Sequence, residues 1–252
     1  MNFERFKNSV LVKRGIKILK YASFDSQEDE QNKTKKEILT KKIYDYYDST
    51  VDTYLEDFKD FLKPFENFNE YIKNTFGNKI GSLVGIELGG PGNNFFSSFE
   101  KGMFKKTAGF TLTFPKDLEN VNNHEVVESD VFLRTSFTEG SWGNVLEWVN
   151  ENGHPDFIIE RMIGPLFMVK EPKIFLLVLD RWYRILNDGG EMFIEVPKNM
   201  KGIDYSELID YFSKFKVEGL DIQIGRGHAT TAIVLKIKKL NGAPVSIANL
   251  IS

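Results

Sequence analysis

The chain is 252 residues long, with 33 basic and 36 acidic side chains, a net charge of −3, no cysteine and three histidines. That balance argues against a general nucleic-acid binder, and the missing cysteines exclude disulfides, thiolate metal sites and a catalytic thiol. His124, His154 and His228 form no metal-binding pair in sequence, so no metal is expected.

No apolar run approaches the roughly 20 residues of a membrane helix. Charges are mixed through Met1–Leu11 where a signal peptide would be apolar, so no membrane span and a cytoplasmic address are expected. Arg5, Lys7, Lys13, Arg14, Lys17 and Lys20 face only Glu4, a pattern read as a solvated helix face or a flexible arm.

The polar stretch Asp25–Lys36 reads as a linker. From Thr34 to Phe76 the text is helical: Ile38, Ile43, Tyr47, Val51, Tyr54, Leu55, Phe58, Phe61 and Leu62 recur every three or four residues. Pro64 interrupts this pattern, and Phe65–Phe76 reads as a second short helix. Residues 1–79 are therefore expected to form a helical cap or arm, whose aromatic stripe packs on the next domain, with a homodimer through these helices as the other use.

After Gly81 short β-branched runs alternate with amphipathic stretches. The predicted strands are Ser82–Leu88, Thr107–Phe114, His124–Glu128, Asp156–Met162 and Glu191–Val196; the predicted helices are Asn93–Gly102, Gly143–Asn152, Pro172–Asn187 and Tyr205–Phe215. Val217–Ile224 and Ala229–Lys238 are separated only by Gly225–His228, so they form an antiparallel hairpin. The expected fold is α/β: a doubly wound, mostly parallel seven-stranded sheet with an antiparallel terminal hairpin, preceded by the helical segment. Residues 80–240 form that domain and 241–252 a tail.

The first strand runs straight into Gly89-Gly90-Pro91-Gly92, with Asn93 or Asn94 placed to cap the next helix. Glycine there allows backbone angles closed to other residues and lets a ligand lie against the main chain. Glu87 precedes the turn and would repel a pyrophosphate, which counts against a dinucleotide-dependent oxidoreductase, but it suits a ligand bearing an ammonium group.

At these residues, Val84-Gly85-Ile86-Glu87-Leu88-Gly89-Gly90-Pro91-Gly92, the sequence resembles the class I, Rossmann-like S-adenosylmethionine-dependent methyltransferases. Val126–Asp130 is similar to that family's third strand, Pro155–Ile159 to its fourth, and Leu186–Ile194 to the passage into its fifth. The resemblance implies S-adenosylmethionine as cofactor, with Glu87, Gly89, Gly90 and Gly92 around its methionine end and Asp130 with Val131 beside adenine. Thr111 stands where relatives carry an acid for the ribose, and the glycine loop is one residue shorter than theirs.

The carboxyl end of the fourth strand, next to the switch point, carries Glu160 and Arg161, expected as a base and an acceptor anchor. Trp142 reads as core, with covering the ligand as the other use. The expected acceptor is a small molecule or otherwise unidentified, with nucleic acid disfavoured by the charge balance. The alternative is a catalytically inactive protein of this fold, acting as a cofactor-binding or scaffold module.

Overall fold

A computed structural model describes residues 51–111, 121–129, 131, 142–160, 172–196, 214, 217–227 and 233–247. Helix α1 (Val51–Leu62) puts Tyr54, Phe58, Phe61 and Leu62 on one buried stripe. Helix α2 (Phe68–Thr75) starts at Asn67, whose side chain accepts the Glu70 amide at 2.9 Å, while Glu70 accepts the Glu66 amide at 3.2 Å. These bonds satisfy donors that a helix start leaves open.

The remaining elements are β1 (Leu83–Leu88), α3 (Asn93–Ser97), β2 (Phe104–Thr111), β3 (His124–Glu128), α4 (Trp142–Asn152), β4 (Phe157–Glu160), α5 (Pro172–Ile185), β5 (Glu191–Val196), β6 (Leu220–Arg226) and β7 (Ile233–Lys239). The seven strands form one sheet in the order β3-β2-β1-β4-β5-β7-β6. Strands β1 to β5 pair in parallel, and β7 runs antiparallel to both β5 and β6. The chain winds outward from β1 to β3 on one side and from β4 on the other, so the switch point lies between β1 and β4.

Alternation along the strands sends side chains to two different layers. Val84, Ile86, Leu88, Ala108, Phe110, Ile158, Met192, Ile194 and Leu235 pack with α4 and α5. Leu83, Phe157, Ile159, Phe193 and Val234 pack with α1, α2 and α3 in an aromatic layer. Phe193 is central to it, edge-on to Phe58 at 5.5 Å and to Tyr71 at 5.7 Å. Such contacts add to the area buried, and truncating a core Phe costs about 3 to 5 kcal/mol.

A polar cluster is set into that layer. Glu191, fully buried, accepts the Tyr71 hydroxyl and an ion pair from Lys238 at 2.9 Å, and Lys236 lies 5.0 Å from the Tyr71 ring centre. Beyond β7, Ser246 and the Ile247 amide donate to Asp180 of α5 at 2.8 and 2.7 Å, which ties residues 241–247 to that helix. Asp156 accepts from the Val84 amide at 3.1 Å and pairs with Lys79 at 2.9 Å, so it orients backbone at the amino end of the sheet.

The expected α/β sheet with its terminal hairpin is present, but several boundaries move. Helix α3 ends at Ser97, five residues before the predicted Gly102. Strand β2 starts at Phe104, before the predicted Thr107, because Phe104 belongs to the aromatic layer and only Lys105 and Lys106 make that start look polar. Gly225 and Arg226, predicted as turn, are paired within β6. A Cβ at Gly225 would sit 3.0 Å from the Phe61 ring of α1, a tight approach that packs the strand closely against the helix. The readings on residues 1–50, on 205–213 and on 228–232 lie outside the described residues. Among the described residues no helix is long and apolar enough to cross a membrane, and no cluster of side chains is placed to hold a metal.

Candidate active site

The site begins where β1 ends. Leu88 pairs with Phe110 of β2 and with Glu160 of β4, and the chain then turns through Gly89 (φ +88°) and Gly92 (φ +73°) into α3. Only glycine adopts those angles without strain. Gly92, not Asn93 or Asn94, holds the cap position, and no side chain bonds the helix start. With φ in the left-handed region, the glycine itself makes the entry that an asparagine was expected to make.

The turn lies flat against the sheet. A Cβ on Gly90 would sit 2.0 Å from Glu87 Oε1, and one on Gly109 of β2 would sit 1.9 Å from the Pro91 carbonyl oxygen. Gly89 donates its amide to the Phe110 carbonyl at 2.7 Å. Two glycines therefore act as a pair, one in the loop and one in the strand beneath it. Gly109 was not singled out from the sequence, although a glycine inside a strand is a signal of close backbone approach.

Glu87 is buried beneath this turn, on the face covered by α1, where it accepts the Tyr54 hydroxyl at 2.5 Å. Tyr54 was read only as part of the aromatic stripe; its ring does pack there, 4.7 Å from Phe95, while its hydroxyl bonds Glu87. Thr111, 1% exposed, ends β2, and its carbonyl accepts the Ser129 amide at 2.7 Å. Val131 is buried, and its carbonyl accepts the Trp182 indole N–H at 2.9 Å. Asp130, between those two anchored neighbours, and Arg161 lie outside the described residues. Trp142 is buried in the core, with the Arg181 guanidinium 5.3 Å from its ring centre.

Glu160 is fully buried at the end of β4, and its Oε2 accepts the Glu195 amide at 3.1 Å. Ile159 faces the aromatic layer, so Glu160 points to the opposite face of the sheet from Glu87. The structure thus brings Glu87, the glycine turn, Thr111 and Val131 to one end of β1, β2 and β3. Glu160 is at the same end on the face opposite Glu87, the side on which Val131 also packs.

His124, at the start of β3, was also missed as a site residue. Its Nε2 lies 2.7 Å from the Pro91 carbonyl and its Nδ1 2.9 Å from Thr107 Oγ1, and burial holds its basicity below the ordinary value.

The chain matches no protein-family profile and no curated protein. Solved structures with a similar fold include an rRNA methylase from Streptococcus thermophilus (12% identity, 70% of this chain and 99% of that one, TM-score 0.42). Another is a protein described as a methyltransferase from Streptococcus mutans, in complex with SAH (12% identity, 70% and 100% covered, TM-score 0.38). A third is described as a ribosomal RNA methyltransferase from Plasmodium falciparum (11% identity, 68% and 94% covered, TM-score 0.42). At these identities the likeness concerns the course of the chain. The observed strand order, with β7 antiparallel between β5 and β6, is that of a class I methyltransferase fold.

The expectation that nucleic acid is disfavoured as a partner is corrected by these comparisons, because rRNA methylases stand among the similar structures. Its physical basis was weak as well: a balanced net charge describes the whole chain and says nothing about how charge is distributed on one face.

Proposed function

We propose that the chain is an S-adenosylmethionine-dependent methyltransferase. The observation that carries this reading is the glycine turn lying flat over Glu87 and Gly109 at the carboxyl end of β1, beside the switch point. The missing side chains let the turn itself pack flat on the sheet, at the strand ends where ligands bind in open α/β sheets. The buried Glu87 carboxyl group beneath it suits the ammonium end of the cofactor far better than a phosphate.

In this reading Glu87, Gly89, Gly90 and Gly92 hold the methionine end, Thr111 stands near the ribose, and Asp130 with Val131 flanks adenine. When bound, the cofactor supplies a methyl group already activated on a sulfonium, so the protein's contribution is alignment and removal of the acceptor's proton. Glu160 is the candidate for that last task, and Arg161 the candidate anchor for the acceptor. In this reading residues 1–79 are the cap or arm of the 80–240 domain, and the described helix α1 brings Tyr54 to Glu87.

Titration calorimetry with S-adenosylmethionine and its demethylated product tests the reading. Micromolar binding is expected; no heat at millimolar ligand, with the protein folded by circular dichroism, overturns it. A second reading, cofactor binding without turnover, is favoured by Thr111 standing in the place of a ribose-binding acid. Transfer of labelled methyl from the cofactor to pools of RNA and of small acceptors separates the two. Ribosomal RNA belongs in that assay because it is named for proteins of similar fold.

A further inference from the structure

We propose that His124 is a positioning residue that fixes the height of the glycine turn through a directed relay, Thr107 hydroxyl to imidazole to Pro91 carbonyl, and so sets cofactor affinity. This rests on the cofactor reading for its consequence, but not for its geometry.

The direction of the relay follows from its ends. The Pro91 carbonyl, 2.7 Å from Nε2, only accepts, so Nε2 carries the proton. In the neutral ring Nδ1 is then an acceptor, and the Thr107 hydroxyl at 2.9 Å donates to it. A second acceptor for that hydroxyl, the Asn123 carbonyl, is 3.4 Å away. The ring also fills the space beside the turn. Its Cε1 lies 2.9 Å from where a Cβ of Gly92 would be, and its other side meets Phe96 at 5.6 Å. With Gly109 below Pro91 and His124 beside it, the carbonyl of the turn is held from two strands.

Protonation reverses only the Thr107 half of the relay, while Nε2–H still donates to the Pro91 carbonyl, now as a charged donor. A proton on Nδ1 must donate to Thr107 Oγ1, whose own hydrogen is then left with the long approach to Asn123. Among the described residues the charged groups facing His124 come from its own strand and from β2: Glu125 favours the imidazolium and Lys106 opposes it, and the two are ion-paired with each other. The turn and α3 present no charged side chain to the ring. Burial is the largest influence and keeps the imidazole neutral below its ordinary value of 6.5.

The test uses the full chain. Histidine side-chain 15N spectra of the cofactor-free protein are expected to show the Nε2–H form at neutral pH and a midpoint below 6.5. The amides of Gly89, Gly90 and Gly92 are expected to shift with that same midpoint. Cofactor affinity, measured by calorimetry over the same range, is expected to change with that same midpoint as His124 takes its proton. Thr107→Val weakens it roughly threefold to tenfold, the share of one neutral hydrogen bond, and Thr107→Ser restores it. An Nδ1–H form, or a titration that leaves the glycine amides still, overturns the relay even where Thr107→Val fails to fold. Binding that is insensitive to pH in this window and to Thr107→Val overturns it too, with the methyltransferase reading intact. A relay seen in the spectra of a protein that binds no cofactor at any pH overturns the functional reading alone.

Discussion

The Tyr54 hydroxyl donates to Glu87 Oε1 at 2.5 Å, joining the first described helix to the acid beneath the glycine turn. The bond passes through the aromatic layer, where the Tyr54 ring stacks obliquely on Phe95 at 4.7 Å, so ring and hydroxyl do different jobs. The ring stabilises the packing of α1 and α3, while the hydroxyl orients a buried carboxyl group.

Tyr54→Phe separates those jobs. The ring contacts persist and one donor to Glu87 is lost. A buried acceptor deprived of a donor costs about 1 to 3 kcal/mol. Urea unfolding is expected to show a loss in that range, and calorimetry a weaker affinity for S-adenosylmethionine. Stability lowered with affinity unchanged would confine Tyr54 to a packing role.

Gly109→Ala and Gly90→Ala probe the turn from below and from within. At Gly109 the new methyl meets the Pro91 carbonyl, main chain that cannot swing away, whereas at Gly90 it meets the end of the Glu87 side chain, which can rotate at the expense of Tyr54. Overpacking of this kind costs about 1 to 3 kcal/mol. Gly109→Ala is expected to abolish cofactor binding while circular dichroism still reports the sheet. Gly90→Ala should weaken binding less and shift the Tyr54 ring signals in proton NMR. Wild-type affinity in Gly109→Ala would mean that the turn does not need its present height.

These contacts mark where legibility in the sequence ended. The strands His124–Glu128 and Glu191–Val196 were readable to the residue because each is a short run with its own turn signals. The glycine turn was readable because glycine has few other reasons to cluster after a strand. Tyr54 on Glu87 and His124 on Pro91 were not, since each spans 33 positions and spacing carries no trace of a tertiary hydrogen bond. The end of α3 was lost for a different reason. Phe95, Phe96, Phe99 and Met103 keep a helical period, yet Gly102 takes a positive φ and the chain turns early into β2.

The Tyr71–Glu191 bond yields a pH prediction at the opposite end of the sheet. Burial, and then the charge of Glu191, push the Tyr71 phenol above its ordinary value of 10.0. A group whose folded value is raised stabilises the fold fully below the unfolded value, and that contribution is lost as pH rises beyond it. Stability measured by urea unfolding is therefore expected to decline as pH rises above 10.0, in part through this phenol. Lys236 and Lys238 also face Glu191, so the phenol's share is read as the difference from Tyr71→Phe. The variant should show a shallower alkaline decline; parallel curves would remove the phenol from the account.

Glu160→Gln addresses the proton of the acceptor. The amide oxygen of the variant can still accept the Glu195 amide, so the link from β4 to β5 is kept and the fold should hold. Glu160 is fully buried on the face opposite Glu87, so the variant leaves the Tyr54–Glu87 bond untouched. Removal of a proton acceptor in the transition state costs about a hundredfold or more in rate. With any acceptor that gives turnover, kcat is expected to fall by about that factor while affinity for S-adenosylmethionine stays within error. The pH profile of wild-type turnover should then show one ionisation that the variant lacks. Full activity in Glu160→Gln would reassign the residue to tethering β5, and the acceptor's proton would have to leave by solvent or by a group outside β4.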